Sequence, residues 1–191
     1  MSTSTPEKAY HHGDLGAALV SAALDLLESD GAAALSLRAV ARACGVSAMA
    51  PYRHFAGKDD LLEAVAARGF ADLADSLDAA DASAAGAEAL AAQGAAYVAF
   101  ACRHPALFRL MFMTPCPKAD TSRAYRILER RAAVLAGPGM PAEDLTLSAW
   151  ALVHGLAALI LDRRVPLEAG ETEAVARRIT LQFARLATDA A

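Results

Sequence analysis

Apolar residues recur along this chain at helical spacing, and no Val/Ile/Thr-rich stretch alternates with the period of two that a half-buried strand needs. Leu15, Leu19, Ala22, Ala23, Leu26 and Leu27 form one stripe. They predict a first helix, capped by Gly13 or Asp14, running to about Ser29 and stopped by Gly31. Ser36 can cap a second helix that buries Leu37, Val40, Ala41 and Cys44. Gly45 ends it, Val46 fills the corner, and Ser47 can cap a third, short helix reaching about Phe55. A small residue at Ala41 and a glycine four positions on let two helices cross closely and the chain reverse within three or four residues, as a helix-turn-helix unit requires. After Ala56-Gly57 a long helix is expected from Lys58, with Asp59 and Asp60 favourable in its first turn. Its stripe is Leu61, Leu62, Val65, Phe70, Leu73 and Leu77, and the small-residue segment 78–86 is expected to fray. Five more helices follow: about 87–103, halted by Pro105; 106–113; 119–136; Pro141 or Ala142 to Arg164; and 171–188. The expectation is an all-α, nine-helix chain. Residues 1–57 would be a three-helix head with a flexible N-terminal arm, and residues 58–191 a helical body.

The eighth predicted helix changes the picture, because Leu145 to Leu161 contains no charged residue. A membrane span is the first alternative. The run is short for one, carries Ser, Thr, His and Gly, and ends in Asp162-Arg163-Arg164. A helix apolar all round must otherwise be buried on every side. The ninth helix offers Val175, Ile179, Leu181, Phe183 and Leu186, again on more than one face. Two such helices from each of two chains would form a four-helix bundle across a two-fold axis, with Gly155 permitting close approach. No membrane association is expected.

Charge matters locally rather than globally. The net charge is −4, yet four of the five Lys/Arg in residues 1–60 fall between Ser36 and Lys58, a run without any acid. A cationic patch on an acidic protein suits DNA binding without permanent non-specific adhesion. Cys44, Cys102 and Cys116 have no CxxC spacing, which points to reduced thiols in a cytoplasm, and the polar N-terminus does not read as a signal peptide. Glu-x-x-His pairs, phosphate-cradling glycine loops and nucleophile elbows are missing from the sequence, so neither catalysis nor a metal or cofactor is expected.

Residues 14–70 resemble the DNA-binding head of TetR-type transcriptional repressors. The likeness lies in Ser36-Leu-Arg-Ala-Val-Ala-Arg-Ala-Cys-Gly-Val-Ser47 followed by Tyr52-Arg-His-Phe-Ala-Gly-Lys-Asp-Asp-Leu-Leu62. The leader Tyr10-His-His-Gly-Asp14 and the later Trp150-x-x-x-His154-Gly155 are similar to a subgroup with a Trp-His-Gly effector body. The resemblance implies a homodimer with a ligand pocket in each body, in which ligand binding changes the spacing of the heads and releases DNA. It also implies that Tyr52, His54 and Lys58 contact phosphates, where their chemistry agrees. Ser36 and Ser47 can serve as caps and as phosphate contacts at once. Arg42 could pair with a surface acid or with phosphate.

Two departures from the family pattern bear on readout. Pro51 removes a helical hydrogen bond and discourages a helical Ala50, so the third helix starts either at Ser47 or at Pro51. Ala48, Met49 and Ala50 can meet thymine methyls but cannot hydrogen-bond base edges, which leaves base readout to Arg38 and Arg53, with DNA shape supplying the rest. His11 and His12 can be read as metal ligands, as a minor-groove arm or as a solvated leader that can touch DNA, and the leader fits adjacent, diverging rings best.

For the ligand pocket, Gln93, Tyr97, Phe100 and His104 share one helix face, and Phe108, Met111, Phe112, Tyr125, Trp150 and His154 are further candidates. Plain core is the alternative for all of them, and Trp150 and His154 could instead belong to the subunit contact. The functional expectation is a homodimeric repressor released from a near-palindromic operator by a small apolar or aromatic effector. The alternative is an all-helical small-molecule carrier or sensor whose head binds protein.

Overall fold

Two signals bracket the second helix in the computed structural model. Ser36 holds an extended backbone and its Oγ accepts a hydrogen bond from the Ala39 N–H at 3.1 Å, satisfying one orphan donor of the first turn. At the other end Gly45 adopts φ +68°, its N–H donates to Arg42 O, and the Val46 N–H donates to Ala41 O. That pair of bonds is the Schellman closure, and it needs a residue free to enter the left-handed region.

The structure describes residues 15–113, 121–168 and 170–189. Among them the order is α1 (Leu15–Asp30), α2 (Leu37–Ala43), a 3-10 helix (Pro51–Arg53), α3 (Lys58–Ala82), α4 (Gly86–Arg103), α5 (Pro105–Met113), α6 (Thr121–Leu135), α7 (Ala142–Leu161) and α8 (Glu171–Asp189). The fold is all-α, with eight α-helices among the described residues rather than nine. The N-terminal arm, the Tyr10–Asp14 leader with His11 and His12, and Cys116 with its flanking prolines lie outside the described residues.

The expected third helix is where the count differs. Residues 48–50 form a turn, and only Pro51–Arg53 is helical, as a single 3-10 turn whose N-cap is Ala50 without a side-chain cap. Pro51 explains the start, since it lacks the N–H that a helix begun at Ser47 would need there. Ala50 nevertheless sits in the right-handed helical region, φ −61° and ψ −43°, contrary to the expectation from the following proline.

Two further boundaries move. α3 stays helical to Ala82 instead of fraying from residue 78, because its carboxylates are pinned: Asp75 pairs with Arg123 at 2.7 Å, Asp78 with Arg130 at 2.9 Å and Asp81 with Arg131 at 2.8 Å. α7 ends at Leu161, three residues early. A Schellman closure stops it, with Arg163 in the left-handed position at φ +55°.

The chain divides into two compact units, meeting in sequence between Leu61 and Leu62. In the first, α1 buries Leu19, Ala23 and Leu27, α2 buries Leu37, Val40 and Ala41, and Leu35, Pro51, Phe55 and Leu61 complete the core. In the second, α4 packs along α8 and is buried over most of its length. The contact face of α8 is Ala176, Thr180, Ala184 and Ala187. Its larger apolar residues, Val175, Ile179, Leu181 and Phe183, are only half-buried, and Leu186 is 73% exposed. Small side chains allow the close approach, and Gly94 on α4 completes it, since a Cβ there would collide with Thr180. Gly69 plays the same part against Leu107 and Met111, whereas nothing lies within 4 Å of a Cβ built at Gly155. By length and composition α7 could cross a membrane. In this fold it packs on α4, α6 and α8 through Leu145, Thr146, Ala149, Val153, Leu156 and Ala157.

Candidate nucleic-acid interface and an apolar cavity

In the first unit the capped α2 and the turn after it present polar side chains outward. Arg38 and Arg42 are four apart and both exposed, opposite the buried face of Leu37, Val40 and Ala41. Ser47, Ala48 and Met49 are exposed in the turn, with Met49 at 69%. Tyr52, Arg53 and His54 are exposed beside the buried anchors Pro51 and Phe55. Such an anchor-and-display arrangement holds three polar side chains on one short rigid turn.

Arg38, Arg42 and Arg53 have no ion-pair or hydrogen-bond partner among the described residues. The second unit differs: Arg109, Arg123, Arg130, Arg131 and Arg177 each meet a carboxylate within 3.0 Å. Uncommitted guanidinium groups on an acid-free helix and turn are free to take phosphate or guanine. Lys58 is exposed, and its Nζ donates to the Ala32 carbonyl at 2.9 Å, which ties the start of α3 to the turn after α1 and leaves two N–H donors. Ser36 uses its oxygen as the α2 cap, so its O–H remains available as a donor.

The second unit holds a partly open cavity of about 450 Å³. Helices α3 to α8 all contribute to its wall: Phe70, Leu73 and Leu77; Leu90, Gln93, Gly94 and Tyr97; Met111 and Phe112; Ala124, Tyr125 and Leu128; Ala149, Trp150 and Val153; and Thr180. The size is that of small-molecule sites, and the lining is predominantly apolar with a few polar atoms. Of the sequence candidates, Gln93, Tyr97, Met111, Phe112, Tyr125 and Trp150 reach this wall. Phe100, His104 and Phe108 do not: Phe100 is buried with its ring 5.1 Å from His104, and Phe108 packs edge-on against Tyr97.

His154 stands behind the wall. Its Nδ1 lies 2.9 Å from the Tyr97 hydroxyl, and its ring is surrounded by Phe108, Phe112, Trp150 and Tyr97. Burial pushes its pKa down, and burial pushes the Tyr97 phenol up, so at neutral pH both groups are uncharged. Gln93 is fixed from the side: its Nε2 donates to Asp81 Oδ1 at 2.6 Å, and the same carboxylate takes two hydrogen bonds from Arg131. Arg131 thereby holds Asp81 below the usual carboxylate range.

Thr180 is the lining residue that sequence reasoning overlooked with most consequence. It is 1% exposed, and its Oγ1 is the one buried side-chain polar atom without a hydrogen-bond partner among the described residues. An unsatisfied buried hydroxyl costs about 1–3 kcal/mol. The available signal was a lone hydroxyl at helical spacing among Ala176, Ala184 and Ala187.

Comparison with known proteins bears on both units. Residues 19–65 match the family described as bacterial regulatory proteins, tetR family, and residues 90–183 match the tetracyclin repressor-like C-terminal domain. An uncharacterized HTH-type transcriptional regulator of Mycobacterium tuberculosis is 27% identical over 174 residues, spanning 87% of this chain and 78% of that protein. A solved structure from Rhodococcus sp. RHA1, of unknown function, is 34% identical with a TM-score of 0.77, covering 95% of this chain and 100% of the other. A bacterial regulatory protein of the tetR family from Rhodococcus RHA1 shares the fold at 23% identity, with a TM-score of 0.64 over 90% of this chain and 95% of its own.

Proposed function

The chain belongs to the tetR family of DNA-binding transcriptional regulators, and from that premise we propose that it is a homodimeric repressor. It occupies a near-palindromic operator and leaves it when a small, largely apolar effector fills the cavity. The observation that carries the DNA half of this reading is the unpaired cationic surface: Arg38 and Arg42 of α2 and Arg53 of the 3-10 turn, uncommitted among the described residues in a stretch without acids. Arg38 and Arg53 read base edges; Ser36, Ser47, Tyr52, His54 and Lys58 hold phosphates; Ala48 and Met49 meet thymine methyls. Within the family, Trp150-x-x-x-His154-Gly155 assigns the chain to a Trp-His-Gly subgroup, which is supported by the use of Trp150 and His154 in and behind the cavity wall.

The effector half rests on the 450 Å³ cavity. Its lining takes in Phe70, Leu73 and Leu77 of α3, the helix that begins at Lys58, so occupancy and DNA contact share one continuous element. The dimer forms through α7 and α8, whose Leu147, Leu159 and Leu186 are exposed in the single chain. A regulator of this kind works in the cytoplasm, where the DNA is.

The test is a gel shift of the full chain on the DNA upstream of its own gene. Retardation that weakens steeply with salt is expected. Absence of retardation at low salt overturns the reading of the head.

A further inference from the structure

The turn that follows α2 carries three side chains in a row that cannot hydrogen-bond. Ala48, Met49 and Ala50 hold neither a donor nor a strong acceptor. Met49 is 69% exposed, the most exposed large apolar side chain of the first unit among the described residues. Its backbone is fixed. The Ala50 N–H donates to Ser47 O at 2.9 Å, the Arg53 N–H to Ala50 O at 3.2 Å and the Phe55 N–H to Pro51 O at 2.9 Å, while Pro51 and Phe55 are buried. A polarisable thioether is thus held outward between the exposed Ser47 and Tyr52, inside the acid-free run from Ser36 to Lys58. In the major groove of DNA such a side chain has one apolar target, the C5-methyl group of thymine. The base 5-methylcytosine carries the same methyl on the same ring carbon. It differs from thymine in its hydrogen-bonding edge, which has the N4 donor of cytosine in place of the O4 acceptor.

We propose that Met49 reads the C5-methyl group of a pyrimidine in each operator half-site, and that the head therefore accepts 5-methylcytosine where it accepts thymine, so that operator binding responds to cytosine methylation. The proposal rests on reading the head as the operator-binding unit. It adds the chemical group that is recognised and a route of regulation separate from the effector. A side chain that hydrogen-bonds base edges separates thymine from 5-methylcytosine, because an acceptor and a donor demand opposite partners. Met49, with an alanine on either side, makes no such demand. Ala48 presents a single methyl group, so the longer thioether of Met49 supplies most of the contact. Burying one methyl-sized group is worth about 0.8 kcal/mol, which corresponds to about fourfold in affinity.

Gel shifts of the full-length protein on short duplexes spanning its site in the upstream DNA test this. Each thymine is replaced in turn by deoxyuridine, which keeps every hydrogen bond of the base pair and removes only the methyl. At least one such replacement in a half-site is expected to weaken wild-type binding about fourfold. At that pair, 5-methylcytosine opposite guanine should bind about fourfold more tightly than cytosine opposite guanine. Met49→Ala, at an exposed position, should keep the helical circular dichroism and bring both ratios to about one, whereas Met49→Leu should retain them. Lys58→Ala should weaken binding to every duplex alike and leave both ratios unchanged. The proposal is overturned if no deoxyuridine weakens wild-type binding by more than about twofold. It is overturned equally if cytosine and 5-methylcytosine bind alike at the sensitive pair, or if either ratio survives Met49→Ala. Those outcomes defeat this proposal alone, since the unmodified duplex is still retarded. No retardation of the unmodified DNA defeats the operator reading and this proposal together.

Discussion

Arg163 closes α7 in a left-handed conformation that costs an L-residue about 1–2 kcal/mol relative to glycine. Arg163→Gly should therefore stabilise the chain by about 1 kcal/mol in urea unfolding, less the entropy that glycine adds to the unfolded state. His154 makes a second residue-level prediction. Its folded pKa is depressed by burial, so the unfolded chain binds its proton first as pH falls. The stability from the neutral imidazole is present above the unfolded value of about 6.5 and is lost below it. Thermal melts should show the midpoint dropping as the pH falls below the unfolded value, with His154→Asn flattening that slope. On the DNA side, Lys58→Ala should weaken binding to all sequences alike and lower the salt slope by about 1. Arg38→Ala should relax the preference at one base pair by about 1–3 kcal/mol, read by competition between operator variants.

Among the elements, the α4–α8 pair depends on small residues facing one another, so substitutions to alanine act differently at two glycines. Gly94→Ala drives a Cβ into the Thr180 side chain and should destabilise the chain by about 1–3 kcal/mol. Gly155→Ala meets nothing within 4 Å, and in the single chain it should gain up to about 1 kcal/mol of helix propensity. Equilibrium unfolding of both variants, with circular dichroism as the probe, checks the contrast. The 3-10 turn at Pro51–Arg53 is the opposite case. It is too short to be stable by itself, and it is held by the burial of Pro51 and Phe55.

At the scale of the molecule, the smaller unit ends at Leu61 and draws its core from a handful of side chains, which makes it the marginal part of the chain. The body leaves Leu147 at 58% and Leu159 at 47% exposure on α7. The proposed dimer requires that surface. Replacing both leucines with glutamate should yield a helical monomer in analytical ultracentrifugation, with operator affinity lost through the missing second head. A dimer that persists in this variant removes α7 from the interface.

Helix positions, the Ser36 cap, the Gly45 stop and the acid-free cationic run were legible in the sequence because they depend on neighbours within one or two turns. The same local signals carried the family resemblance. The sequence by itself did not show that α3 continues to Ala82, since the stabilising arginines come from α6, some fifty residues away. Nor did it separate the cavity wall from the core. Phe100 and Phe108 share composition and spacing with Phe112, and only the packing of six helices decides which ring meets empty space. Thr180 is the clearest instance: only tertiary packing buries this one hydroxyl among alanines against a glycine and leaves it without a hydrogen-bond partner among the described residues.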